Sequence, residues 1–259
     1  MTPATQVDLS GQTALVTGGS RGIGRAIAVA LGQAGARVGI NYVRNRAAAE
    51  ATAQEIIARG GPEPLVIKAN VGEEEQVARL FAELGEKFGG LDILVSNAAT
   101  GVLKPAKEIP GKYLAWTLKM SAEALLLLVQ RALPLMQGRR GRIIAVSSLG
   151  ATRAIPYYMA MGAAKAALES IVRHLALELG PSGIRINIVS PGVVDTEALR
   201  HFPNREQMLT YCEKTTPLGR LVTPEDVARV VLLLVSELAE MIHGQRIVVD
   251  GGYSIVAWP

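Results

Sequence analysis

The chain of 259 residues predicts an α/β fold, a doubly wound parallel sheet with helices on both faces. Three observations carry that reading. Short β-rich runs alternate with longer segments of helical periodicity from end to end. The runs are nearly continuous in apolar residues, the pattern of strands buried on both faces. A glycine-rich turn, Thr17-Gly18-Gly19-Ser20-Arg21-Gly22-Ile23-Gly24, leads directly from the first run into the first helical segment.

Seven runs read as strands, at 13–17, 37–42, 64–68, 93–96, 142–147, 185–189 and 246–249. The segments 24–34, 47–59, 73–88, 113–136 and 224–236 space their apolar residues as helices do. A further helix is expected over 156–180, with proline in its first turn, an alanine-rich body and Gly180-Pro181 at its end. The long irregular stretch 193–223 mixes Phe202, Met208, Leu209 and Tyr211 with charged residues. Its position after a strand end suggests a substrate lid. No repeat or low-complexity linker divides the chain, so residues 1–259 form one Rossmann-type domain.

Composition narrows the function classes. Hydrophobic residues make up 49% and charged residues 19%, enough for a large buried core. Cys212 is the single cysteine, so no internal disulfide forms, and His174, His201 and His243 are too dispersed to suggest a metal cluster. No metal is expected. Residues 1–10 lack a basic segment followed by an apolar run, and no apolar stretch approaches the roughly 20 residues of a membrane helix. A cytoplasmic protein without membrane contact follows as the expectation. A formal net charge of +4 with scattered basic residues and few aromatics argues against nucleic acid.

The glycine turn is a phosphate site. Gly18, Gly22 and Gly24 permit a tight turn and close approach of a pyrophosphate, while Ser20, Arg21, Gly22 and Ile23 lead into a helix whose free N–H groups favour an anion. An NAD site would place an acid at the end of the second strand. Here that stretch reads Asn41-Tyr42-Val43-Arg44-Asn45-Arg46, with no acid before Glu50. Arg44 and Arg21 suit a 2′-phosphate, which favours NADPH. The alternative, that Arg44 and Arg46 are solvated loop charges, stays open.

Tyr158 and Lys165 are seven residues apart on the expected helix, hence on one face with backbones roughly 10 Å apart. Met161, four residues before the lysine, has a thioether that cannot donate a proton. Tyr157 is a competing donor, but its offset rotates it about 80° away from Lys165.

These residues, with Asn97-Ala98-Ala99, Ser147-Ser148, Pro191-Gly192 and Asp250-Gly251-Gly252, resemble the short-chain dehydrogenase/reductase family over almost the whole chain. The resemblance implies that Asn70 and Val71 flank the adenine, that Asn97 and Ala98 lie along the cofactor, and that Thr196 approaches the nicotinamide amide. It implies that Lys165 binds the nicotinamide ribose and lowers the tyrosine pKa, and that Ser148 assists. Two departures stand out: Met161 occupies the position of the usual tyrosine, and Ser121 that of the usual asparagine. Retention of a tyrosine and lysine separated by six residues resembles the enoyl-acyl-carrier-protein reductases. Asn41-Tyr42, Lys68-Ala69-Asn70-Val71-Gly72, Gly101-Val102-Leu103 and His201-Phe202-Pro203-Asn204-Arg205-Glu206 are most similar to the NADPH-dependent enoyl reductase III, or FabL, type.

That type reduces the trans-2 C=C bond of an enoyl thioester in fatty acid elongation. Hydride goes to C3 while charge develops on the thioester oxygen, two carbons farther along, so the donor must stand back from the nicotinamide. Moving the tyrosine from position 161 to 158 retracts its backbone by about 4.5 Å along a helix. The resemblance also implies a homotetramer, consistent with the apolar 125–128 segment and the alanine-rich helix. An acidic acyl-carrier protein, or a CoA analogue, would be the carrier, with Arg200, Arg205, Lys214 and Arg220 able to meet it. Two alternatives remain: reduction of a 3-oxoacyl or other carbonyl, and a non-catalytic NADP-binding regulator suggested by Met161 and Ser121.

Overall fold

The computed structural model describes residues 7–257. Its strands are β1 (Thr13–Val16), β2 (Arg37–Tyr42), β3 (Leu65–Lys68), β4 (Ile93–Ser96), β5 (Arg142–Val146), β6 (Arg185–Pro191) and β7 (Arg246–Val249). They form one seven-stranded sheet in the order β3-β2-β1-β4-β5-β6-β7, every pair parallel. The chain reverses its direction of winding between β1 and β4, and a crevice opens there beyond the carboxyl ends of the strands.

The helices are α1 (Gly22–Gln33), α2 (Arg46–Ala58), α3 (Glu74–Phe88), α4 (Gly111–Leu118), α5 (Ala124–Met136), α6 (Met159–Leu179), α7 (Arg205–Thr215) and α8 (Pro224–Val235). Strand side chains alternate between faces. Leu15, Leu94 and Ile143 therefore enter one core layer with α3, α5 and α6. Ala14, Val16, Ile93, Val95 and Ile144 enter the other with α1, α2 and α8. Both faces being covered is what removes the polar alternation from these strands.

Helix ends follow local chemistry. Gly89, at φ 72°, closes α3 in the left-handed conformation. At the start of α8, Thr223 and Asp226 satisfy each other's backbone in a capping box, with proline in the first turn.

Three expectations need correction. The helix expected over 156–180 begins at Met159, with Tyr158 at its N-cap. Tyr157 causes the delay: its φ of 64° is the one positive value at a non-glycine among the described residues, and a left-handed residue cannot propagate a right-handed helix. The segment expected as one helix over 113–136 is α4 and α5 joined by a π-helical turn, Lys119–Glu123. Its extra residue per turn puts Ser121 in the interior, 2% exposed. The 193–223 segment is less irregular than expected, holding a short helical turn at Glu197–His201 and all of α7. Val194 and Val222 bridge its two ends.

Candidate active site

The glycine turn is shaped by its neighbours. Gly18 has φ 63°, which favours glycine. A Cβ on Gly24 would run into the Gly18 carbonyl oxygen, so the turn closes only without one. Asn41, fully buried on β2, accepts from the Gly18 N–H at 3.3 Å and donates to the Ala69 carbonyl at 2.9 Å. The Thr17 hydroxyl accepts from the N–H groups of Asn97 at 2.9 Å and Ala98 at 3.0 Å. The Asn97 amide donates to the Thr17 carbonyl at 2.9 Å. Asn97 and Ala98 thus brace the turn from β4. The sequence reading missed Thr17 and Asn41, although an asparagine within the apolar 37–42 run was a visible signal.

A pyrophosphate fits this frame. Backbone approaches without Cβ obstruction, and the first N–H groups of α1 have no partners within the helix. Arg21 reaches across the mouth to Glu197 at 2.6 Å, so its guanidinium is shared with the 193–223 segment. Arg44 lines the same cavity and has no ion-pair partner among the described residues. Asn70 and Val71 follow the end of β3. The Asn70 side chain accepts from Gly72 N–H at 3.1 Å, Val71 is buried, and neither lines the cavity.

From the glycine turn a cavity of about 1090 Å³ runs past Pro191, Gly192 and Thr196 to Ser148, Tyr158 and Phe202. Thr196 stands beside Gly22, where an added Cβ would meet its methyl at 3.4 Å. The Tyr158 ring stacks on Phe202 of the 193–223 segment, with centroids 5.8 Å apart. Met161 also lines the cavity, its sulfur packed so closely on Gly101 that a side chain there would collide with it. Ser148 lies close enough to the Tyr158 hydroxyl to favour its ionised form and accepts from Gly150 N–H at 3.2 Å.

The expected electrostatics of the pair are corrected. Lys165 does not lower the tyrosine pKa in this arrangement: burial raises it, and the nearby Ser148 opposes that rise. The ammonium is committed elsewhere, donating to the Val146 carbonyl at 2.7 Å. Burial lowers the lysine to about 8, against the attraction of Glu169. Tyr158 consequently remains a protonated hydrogen-bond donor at neutral pH. Ser147 turns away from a catalytic task and donates to Glu169 at 2.6 Å. Ser121 Oγ is buried without a partner among the described side chains.

A glycine turn at the switch point shaped for a phosphate, joined by one cavity to Tyr158 and Ser148, with Lys165 buried on α6 and not lining that cavity, fits a nucleotide-dependent oxidoreductase. The chain belongs to the short-chain dehydrogenase/reductase family, whose members bind NAD(P). A family model described as Enoyl-(Acyl carrier protein) reductase matches residues 18–254. The chain is 39% identical over 250 residues to 1-cyclohexenylcarbonyl-CoA reductase of Streptomyces collinus, covering 96% of this chain and 89% of that protein. Among solved structures, the NADH enoyl-[acyl-carrier-protein] reductase of Aquifex aeolicus superposes with a TM-score of 0.89 at 32% identity, covering 97% of this chain and 99% of that one. A 7α-hydroxysteroid dehydrogenase complexed with NADH and 7-oxo glycochenodeoxycholic acid gives 0.90 at 30% identity, covering 97% and 98%.

Proposed function

We propose that the protein is an NADPH-dependent reductase of the C=C bond of enoyl thioesters. The observation that carries this reading is the placement of its donor. Tyr158 and Ser148 meet in the cavity from outside α6, while the helix position nearer Lys165 is filled by the non-donating Met161. The enoyl-reductase family model and the similarity to an unsaturated acyl-CoA reductase support it.

NADPH, when bound, supplies hydride to C3. The Tyr158 hydroxyl, beside Ser148 and kept protonated by burial, donates a hydrogen bond to the thioester oxygen as negative charge develops there, and a solvent proton delivered to C2 converts the enolate to the saturated thioester. One such donor is worth about 10²–10³ in rate. Lys165 would hold the nicotinamide ribose, and Arg44 the adenosine 2′-phosphate, since no acid follows β2 to take ribose hydroxyls. The segment from 193 to 223 acts as the lid. Within it Arg205 is paired with Asp195 and Arg220 with Asp226, leaving Arg200 and Lys214 as the basic groups for an acidic carrier protein. Leu126 and Leu177, exposed on α5 and α6, mark the faces through which a homotetramer would form.

A carbonyl substrate is the second reading, favoured by Tyr158 and Ser148 lining the same cavity, an arrangement that could equally serve a ketone oxygen. NADPH oxidation with crotonyl and acetoacetyl thioesters separates the two. Turnover of the crotonyl substrate, with kcat falling about 10²-fold or more in Tyr158→Phe while NADPH still binds, is the expected result. Turnover of the keto substrate alone overturns the proposal, and loss of nothing in Tyr158→Phe would favour the non-catalytic regulator.

A further inference from the structure

Behind the site lies a carboxylate to which the proposed chemistry gives no task. Glu169 follows Lys165 by one helical turn on the same face of α6 and is 5% exposed. Its Oε1 accepts from the Ser147 hydroxyl at 2.6 Å. Arg246 of β7 brings Nε to 3.5 Å from the same oxygen and donates from its other end to Thr152 Oγ1 at 3.3 Å. Lys165 donates to the Val146 carbonyl at 2.7 Å. Val146 and Ser147 are consecutive at the carboxyl end of β5, so lysine and glutamate are anchored side by side to one strand terminus. Packing needs no charge here, and a buried carboxylate without compensation is among the costliest groups a fold can contain.

We propose that Glu169 is the positioning residue of Lys165: its carboxylate, fixed by Ser147 and Arg246 one helical turn from the lysine but beyond ion-pair distance of its ammonium, places a buried negative charge beside the lysine at the end of β5. The inference rests on Lys165 being the cofactor-binding lysine, and on nothing about which double bond is reduced.

Every neighbouring element contributes to the balance. On α6, Glu169 is the charged group that acts on the ammonium, and it opposes the lowering caused by burial. From β5 come the neutral Val146 carbonyl and Ser147 hydroxyl, and from the turn after β5 the neutral Thr152. From β7 comes Arg246, a cation competing for the same carboxylate oxygen. Removing the acid therefore moves the lysine pKa further down, and the ammonium is lost at a lower pH. Removing Arg246 frees the carboxylate for the lysine and moves the loss to a higher pH.

The test uses the full-length protein and NADPH binding by nucleotide fluorescence between pH 6 and 9, each variant expressed as a ratio to the wild type. Glu169→Gln keeps an acceptor for Ser147 but removes the charge. It is expected to bind within about twofold of wild type at pH 6 and about tenfold more weakly at pH 8.5, one pKa unit corresponding to one factor of ten. Glu169→Asp, which keeps the charge, restores the alkaline limb. A Glu169→Gln ratio that is constant across pH, whether near one or uniformly low, overturns the proposal because a structural role predicts no change of slope. Should that variant not fold, Arg246→Gln serves, and an alkaline midpoint that fails to rise overturns it. Wild-type protein that does not bind NADPH at any pH would instead defeat the assignment of the cofactor site.

Discussion

Tyr158 shows how much of a site depends on a single backbone angle. The left-handed φ of 64° at Tyr157 stops α6 from starting at the proline, and Tyr158 becomes its N-cap, where its ring stacks on Phe202 and its hydroxyl meets Ser148. The residue types were legible in the sequence, because a tyrosine, a lysine and a methionine at fixed spacing limit which group can donate a proton. The helix start was not, since a positive φ at tyrosine is imposed by tertiary packing rather than by local preference. Asn41 is a similar case: its bonds to Gly18 and Ala69 exist only once β2 and β3 are paired. Glu169 was hidden differently, as one charged residue on a long helix whose partners lie on β5 and β7. Arg44 offers a direct test at this scale. With no ion-pair partner among the described residues to release, it should bond a 2′-phosphate in full. Arg44→Ala is expected to raise KM for NADPH about tenfold while leaving KM for NADH within about twofold, a loss in keeping with one charge-assisted bond.

At the scale of elements, the strands were the most legible part. Parallel strands covered on both faces must be apolar throughout, and each of the seven runs became a strand, β2, β4 and β7 with the expected bounds and the other four with one end shifted by a residue or two. The segment between 111 and 136 was less so. Its apolar periodicity indicated a helix, but nothing local marked the π-helical turn that carries Ser121 inward; such turns arise where packing against a neighbour, here α6, absorbs an extra residue. The amino end of α8 is locally encoded and can be tested as such. Thr223→Ala removes the hydroxyl that accepts from Asp226 N–H, and should cost about 1 kcal/mol, read as a fall in Tm of about 2–4 °C for a chain of this size, with cofactor binding unchanged. Loss of NADPH affinity in that variant would show instead that the cap shapes the site through the adjoining 193–223 segment.

Across the whole molecule, the strand order places the phosphate turn at the switch between β1 and β4, and the returning chain after β6 lays the 193–223 segment over it. One contact ties these distant parts together. Arg21 and Glu197 are 176 positions apart in sequence, and both are more than half exposed, so their bond is readily exchanged for another anion. A nucleotide phosphate drawing on Arg21 has to take it from Glu197. The order expected from this contact is that the nucleotide enters first and loosens the segment over the second substrate's entrance, and that the spent nucleotide leaves last. Steady-state initial rates should then follow an ordered mechanism, with oxidised nucleotide competitive against NADPH and noncompetitive against the thioester. Glu197→Gln should move the pattern toward random entry, and an unchanged ordered pattern in that variant would assign the timing to another contact.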